Sequence, residues 1–446
     1  LQKKIFDEYR KRIEQNPEKF SSDFRKIIRK MKQSNAKYKG KTVNFLYQPM
    51  FFDQEDVQNF QNICKRMMGI IQKCVEEYLQ NPAFRKHFGF SNQMEELILI
   101  DPGYSCAAPI ARLDIFYDGD YSFCELNGDG TSAMNEANTL ERIFLESDII
   151  RELQKTYRIY NFELFHSWLE ALLQIYQEFG GTRKPNIAIV DFSGLGTSEE
   201  FKTFQTVFEK DGYTTVICDP REMKYKNGRL YFGKLPIDLV YRRAVNQEME
   251  KRLHEVGDFI QAYKDKAVCV VGPFRSQIMH NKTFFSILSD ENKTGFLNSE
   301  ERQFITKHIP QTWQLNEKHC QLALDNKDAY VIKPKDFYGG KGVVCGLDCT
   351  EDEWKNQVAK AKEKDEFLLQ EFCNFTQREM PVFQNGTFVF KPFKTTVGLF
   401  AYQGNFSGLY ARVSEHNIIA GMERSISLPS LVAEEKGKHS KNRLAI

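Results

Sequence analysis

The residues best suited to chemistry are Arg112-Leu-Asp114 and Glu125-Leu-Asn127, in the stretch ARLDIFYDGDYSFCELNGDGTSAMNEANTLERIF. They flank Asp118-Gly119-Asp120, so the pattern predicts two antiparallel strands joined by a tight turn. Alternation puts Arg112 and Asp114 on one face, and Glu125 and Asn127 on one face. If the two faces coincide, two carboxylates, one amide oxygen and one fixed cation converge. Hard oxygen ligands suit Mg²⁺, which usually keeps waters and binds beside substrate phosphates. Such a set calls for a nucleotide, and for a phosphate cradle elsewhere in the chain.

The segment AYVIKPKDFYGGKGVVCG supplies that cradle. It predicts a strand over 330–332, then Lys333, a turn carrying Gly339, Gly340, Lys341 and Gly342, and a second strand over 343–345. Backbone N–H groups in a glycine turn can face phosphate oxygens without interference from Cβ atoms. Lys333 and Lys341 add point charges. A Walker A loop needs Gly-Lys followed by Ser or Thr and a helix; here Gly340-Lys341 leads into Gly342 and a strand.

These two segments need elements that bring them together. The N-terminal stretch reads as helices, beginning with an amphipathic LQKKIFDEYRKRIEQ rather than a signal peptide. The longest, DVQNFQNICKRMMGIIQKCVEEYLQN, has apolar residues at helical spacing, with Met67 and Met68 as packing residues. ELILIDP then reads as a short strand before the hairpin, and the chain from Asn135 to about Phe179 as helical. From Pro185 the strands PNIAIVDF, TTVICDP, PIDLVYRRA and AVCVVGP alternate with a helix capped at Ser198 and a hairpin at Asn227-Gly228. That is β-α-β alternation, which predicts a doubly wound parallel or mixed sheet. The later chain is β-rich, with Gly386, Gly398, Gly404 and Gly408 read at turns and a loose polar end.

The 446 residues leave room for roughly two to four structural units. A net charge of +2 argues against a nucleic-acid-coating protein, and no stretch approaches the apolar length of a membrane span. Ten scattered cysteines with no CxxC pair read as reduced thiols of a cytoplasmic protein.

The motifs RLDIFYDG, CELNGDGTSAMNE, MHNKTFFSIL, YVIKPKDFYGGKGV, LLQEF and GLYARVSEHNIIAG, in that order, resemble glutathionylspermidine synthase-like proteins. These are ATP-grasp ligases in circularly permuted form, and the order here, metal set first and lysine strands last, agrees. The resemblance implies an α/β chain with α+β elements: a circularly permuted ATP-grasp fold, an inserted doubly wound domain and an N-terminal helical region. The expected division is a helical region over 1–94, a metal-binding part over 95–184 and an α/β domain over 185–275. A nucleotide-binding part over 276–425 and a flexible tail over 426–446 would follow.

The resemblance also implies roles. Asp114, Glu125 and Asn127 would hold Mg²⁺ between ATP phosphates, with Arg112 and Arg412 facing the reacting oxygens. Lys282 and Lys333 would contact phosphates, Gly339, Gly340 and Gly342 would form a lid beside Lys341, and Gln370 and Glu371 would meet adenine. Thr131, Ser132 and Glu136 would engage the substrate. The loop here begins Asp336-Phe337-Tyr338, where the family usually places an arginine before the glycines. The implied activity is ATP-dependent C–N ligation of a small-molecule or peptide carboxylate to an amine through an acyl phosphate. Loading of the carboxylate onto a thiol carrier protein or another acceptor, or a nucleotide-binding scaffold without turnover, stands as the alternative.

Overall fold

In the computed structural model the described residues run from 1 to 437, apart from Lys39, Tyr338, Asp365 and Phe375 and the side chains of Met422 and Glu423. The expected hairpin forms: Ile110–Asp118 pairs antiparallel with Asp120–Asn127. It makes one edge of an antiparallel sheet ordered Ile426–Leu428, Asn405–Ser414, Thr387–Tyr402, Ile110–Asp118, Asp120–Asn127. Gln377–Gln384 also pairs with Thr387–Tyr402.

This hairpin sheet has two unlike faces. Leu113, Ile115, Val397, Leu399, Leu409 and Ala411 share a core with Phe60, Ile63, Met67 and Ile71 of the helix Gln54–Gln80. That helix starts from an Asp53–Asp56 capping box and turns its apolar stripe onto the sheet. Each of these side chains larger than alanine contributes about 1.5–3 kcal/mol by leaving water. The period of two then sends the intervening residues to the other face. There, Arg112 lies opposite Phe400, Asp114 opposite Gly398, and Arg412 opposite Thr396.

The middle of the chain forms a four-stranded sheet ordered Cys269–Val271, Leu239–Arg242, Ile187–Val190, Thr215–Cys218, with every pairing parallel. It is the doubly wound sheet the alternation predicts, with a meander over 223–237 beside it. The lysine segment lies in a further antiparallel sheet, ordered Thr312–Gln314, Phe367–Glu371, Tyr330–Pro334, Val344–Cys345. Ile332 and Leu369 pack there with Trp354 and Ala323, so Lys333, one residue along, turns to the opposite face.

Several expectations give way. The start of ELILIDP closes a helix, Asn92–Leu99, because Ser91 caps it by accepting from the Met94 N–H at 3.0 Å and Met94, Leu97 and Ile98 bury one side. The stretch expected to be helical up to Phe179 contains the strand Tyr157–Tyr160. Its partner is Ser430–Glu435, which also pairs with Met50–Phe52, so the expected flexible tail holds the edge strand Ile426–Leu428 and then the centre of a three-stranded sheet. Residues 438–446 of that tail lie outside the described residues, as does Tyr338 of the expected loop. Ser198 is the first residue of its helix, and Thr197 occupies the cap position. Gly398 and Gly408 sit inside strands rather than at turns. A Cβ at Gly408 would come 2.5 Å from Leu164, and the reason for Gly398 lies in the charged face. No described helix is long and apolar enough to cross a membrane.

Candidate active site

The two halves of the hairpin motif share a face because of one extra residue. From Asp118↔Asp120 to Ile115↔Phe123 the strands pair in one register; then it shifts, and Asp114 pairs with Glu125 and Arg112 with Asn127. Cys124 is the inserted residue of a β-bulge, which bends the strand and leaves one residue outside the ladder. Its carbonyl instead accepts from Lys333 Nζ at 3.1 Å. The lysine sheet is thereby fastened to the hairpin at the point that re-aims Glu125.

Asp114 is the centre of the charged face. Its side chain is 1% exposed. Oδ1 accepts from Arg112 Nε at 2.7 Å, and Oδ2 from Arg112 Nη2 at 3.1 Å and from Arg412 Nη2 at 2.7 Å. Burial alone would pull the Arg112 guanidinium down, but the Asp114 carboxylate more than offsets it and keeps the arginine charged. Arg112 Nη1 donates to the Ser132 carbonyl at 2.7 Å. The Tyr410 ring centroid lies 5.4 Å from each guanidinium. Gly398 passes beneath: a Cβ there would lie 2.8 Å from both Arg112 Cδ and Asp114 Oδ1.

Glu125 is partly buried and paired with Lys282, Nζ to Oε1 at 2.8 Å. Burial pushes its carboxyl up, yet Lys282, with Lys333 and His280, overcomes that and holds it at about 2. Lys282 Nζ also donates to the Phe337 carbonyl at 2.7 Å, at the entry of the glycine loop. Asn127 donates its amide N–H to the Arg112 carbonyl at 3.4 Å, which leaves its Oδ1 as an acceptor.

Gly339, Gly340 and Gly342 all have positive φ, at +67°, +69° and +74°, a backbone region that glycine enters without strain. A Cβ on Gly340 would meet Ala420 Cβ at 2.2 Å, so the loop rests on the segment after the Arg412 strand. Lys341 in this loop is exposed. Gln370 shares the face of Lys333 but is buried, and its amide donates to Thr312 Oγ1 at 2.8 Å. Glu371 is exposed, accepting from the Gln311 N–H at 3.3 Å. Neither side chain is brought to the charged face.

Beyond Asn127 the chain turns into the helix Met134–Leu145. Thr131 Oγ1 donates to the Asn127 carbonyl at 2.9 Å, closing that turn. Glu136 is buried, and its carboxyl is raised by that burial and by the neighbouring charge of Glu200, against Arg112 and Arg243. Glu200 accepts from the Met134 and Asn135 N–H groups at the helix start and from Arg243 Nη1 at 2.8 Å. Sequence reading missed Gly398, Tyr410 and Glu200. Gly398 had a usable signal, an isolated glycine inside an apolar strand run, which marks a close approach.

A model of the circularly permuted ATP-grasp type 2 family matches residues 94–413. A comparison with curated proteins finds no match. Among solved structures, the chain is similar to a glutathione synthetase-like effector (GSS30) from Globodera pallida, with TM-score 0.55 and 13% identity over 87% of this chain and 90% of that one. D-alanyl-alanine synthetase A from Vibrio cholerae gives TM-score 0.27 and 12% identity over 48% of this chain and 68% of that one. D-cycloserine synthetase DcsG gives 0.30 and 9% over 55% and 75%.

Proposed function

The chain belongs to the circularly permuted ATP-grasp type 2 family and has its fold, and from that premise we propose an ATP-dependent carboxylate–amine ligase of the glutathionylspermidine synthase-like kind. The observation that carries the reading is the meeting of Arg112 and Arg412 on Asp114, with Glu125 and Asn127 on the same face.

The residues fit a hard divalent cation. Asp114 and Glu125 offer carboxylate oxygens and Asn127 an amide oxygen, the donor chemistry of Mg²⁺. Among the described residues no group of three or more His, Cys, Asp or Glu side chains could hold a metal by itself. That suits a cation completed by the Asn127 amide and by substrate phosphates. Bound Mg²⁺ would neutralise charge developing on the phosphoryl oxygens.

The chain's own groups do the rest. Lys282, Lys333 and the loop of Gly339, Gly340, Lys341 and Gly342 bind the ATP phosphates. Arg112 and Arg412 hold the attacking carboxylate and the transferred phosphoryl group close together. The carboxylate takes the γ-phosphoryl group and releases ADP; an amine then attacks the acyl carbon and phosphate leaves. Thr131, Ser132 and Glu136, just beyond the hairpin, would engage the substrate. Phosphoryl transfer is chiefly a matter of position and charge, so no nucleophilic side chain is required. An arginine beside the cation ligands favours turnover over a scaffold, because nucleotide binding alone does not need it.

The test is ATP consumption with Mg²⁺ against a panel of amino acids, short peptides and polyamines, reading both ADP and AMP. ADP and phosphate that depend on one carboxylate and one amine are expected. AMP as product would overturn the acyl-phosphate route, and turnover that needs a thiol carrier would move the acceptor to the alternative class.

A further inference from the structure

A loop with three left-handed glycines is costly to order, so something must hold it in place. The entry to this loop is anchored from two sides. On one side Lys282 donates from its side chain to the Phe337 carbonyl, and from its backbone N–H to the Lys335 carbonyl at 2.8 Å. On the other side is Asp336. Asp336 Oδ2 accepts from Gln277 Nε2 at 2.8 Å, and its carbonyl accepts from Gln247 Nε2 at 3.3 Å.

Gln277 is itself one link of a buried chain. It is 1% exposed, and its Oε1 accepts from Asn246 Nδ2 at 3.1 Å. The Asn246 backbone N–H donates to Asp129 Oδ2 at 2.5 Å, and Asp129 Oδ1 accepts from Arg242 Nη2 at 3.1 Å. Asp129 lies two residues beyond Asn127 in the same turn. That turn is fixed by close packing, since a Cβ on Gly128 would come 2.6 Å from Met279 and one on Gly130 2.6 Å from Val245. The relay Asp129–Asn246–Gln277–Asp336 thus joins the end of the hairpin to the start of the glycine loop, through the end of the parallel sheet. Its inner members are shielded from water, and Asn246 Nδ2 reaches the Phe274 carbonyl at 3.5 Å as well as Gln277.

We propose that Asp336 is a positioning residue: through Gln277, Asn246 and Asp129 it sets the glycine loop at a fixed height above the hairpin, so that the loop N–H groups meet the nucleotide phosphates. The positioning role rests on the nucleotide-binding part of the reading above; the tether itself does not. The acceptor at 336 matters, not its charge. Asn at this position still offers an oxygen to Gln277 Nε2, whereas Ala offers none. Glu at 277 replaces the donor by a carboxylate facing a carboxylate.

The experiment compares wild type with Asp336→Ala, Asp336→Asn and Gln277→Glu by two readouts: amide exchange of the peptide spanning 335–343 without nucleotide, and Mg·ATP affinity by calorimetry. Asp336→Ala and Gln277→Glu are expected to exchange faster and to bind Mg·ATP about tenfold more weakly, the scale of one hydrogen bond. Asp336→Asn restores both. Unaltered exchange in Asp336→Ala overturns the tether, whatever the nucleotide result. Faster exchange with unchanged Mg·ATP affinity overturns the positioning role. A wild-type chain that binds no Mg·ATP sinks the nucleotide reading and the positioning role together, while the exchange readout still judges the tether.

Discussion

Asp114 and Asp129 are near neighbours in sequence, both buried and both bonded to arginine, yet their surroundings differ. Asp129 and Arg242 have side chains 2% and 0% exposed. Every direction is filled: Asn246 N–H on the carboxylate, the Gly272 carbonyl at 2.5 Å on Arg242 Nε, and the Phe274 ring 4.8 Å from the guanidinium. Asp114 is equally dry, but its arginines lie on a sheet face shared with Glu125, Asn127 and the lysines. One of them, Arg412, comes from a strand 298 residues away and has a buried Nε with no hydrogen-bond partner among the described residues. A pair enclosed on all sides holds two parts of a fold together. A pair at the edge of a charged face can exchange contacts with an incoming anion without unfolding anything.

The comparison breaks or sharpens under substitution. The largest effect is expected for Asp129→Ala, which strands Arg242 in the interior; breaking a buried pair costs about 3–5 kcal/mol. Urea unfolding should show that loss, and a change under 1 kcal/mol would erase the distinction between the two pairs. Arg412→Ala should cost about 3 kcal/mol of barrier, a hundredfold or more in turnover, with the urea midpoint little changed. Equal losses of stability in the two variants would make both pairs structural. Gly398→Ala drives a methyl group into Arg112 and Asp114, and overpacking of that kind costs about 1–3 kcal/mol. It should lower turnover through displaced Arg112 and weaken Mg·ATP affinity through displaced Asp114, read by turnover and by calorimetry.

The smallest effect concerns pH. Glu125 is held at about 2, below its ordinary value of 4.5, by Lys282 acting against burial. Its ionised form therefore favours the folded state: the contribution is complete above about 4.5 and is lost as pH falls toward 2. Lys282→Met removes the partner and raises that pKa, so the acid limb of a melting-temperature profile should move to higher pH. An unmoved limb would mean that the pair adds nothing to the fold.

Much of this was legible in the residues. The Asp118-Gly119-Asp120 turn, the apolar period of the helix Gln54–Gln80 and the β-α-β run from Pro185 are local signals, and each became the element predicted. ELILI misled because a short apolar run fits a strand or a helix alike until a cap such as Ser91 decides. The C-terminal strand was hidden for another reason. Ser430–Glu435 is ordered by partners at Met50–Phe52 and Tyr157–Tyr160, and nothing within it announces them. The Gln370 amide donates to Thr312 on the neighbouring strand, a contact that no local signal shows.

What the sequence by itself determined is the chemical inventory: two carboxylates, an amide, arginines, lysines and a glycine turn, in an order that puts the cation set first and the phosphate loop last. Whether these form one site was left to the tertiary structure. Strand alternation has a period of two, so an unbroken register would have turned Glu125 away from Asp114. The bulge at Cys124 reverses that parity, and no glycine or proline marks it. It is held in place from outside, by Lys333 on the freed carbonyl and by a sheet whose next strand begins at Thr387. Contacts of such long range are fixed by the packing of whole sheets, which no local pattern of residues encodes.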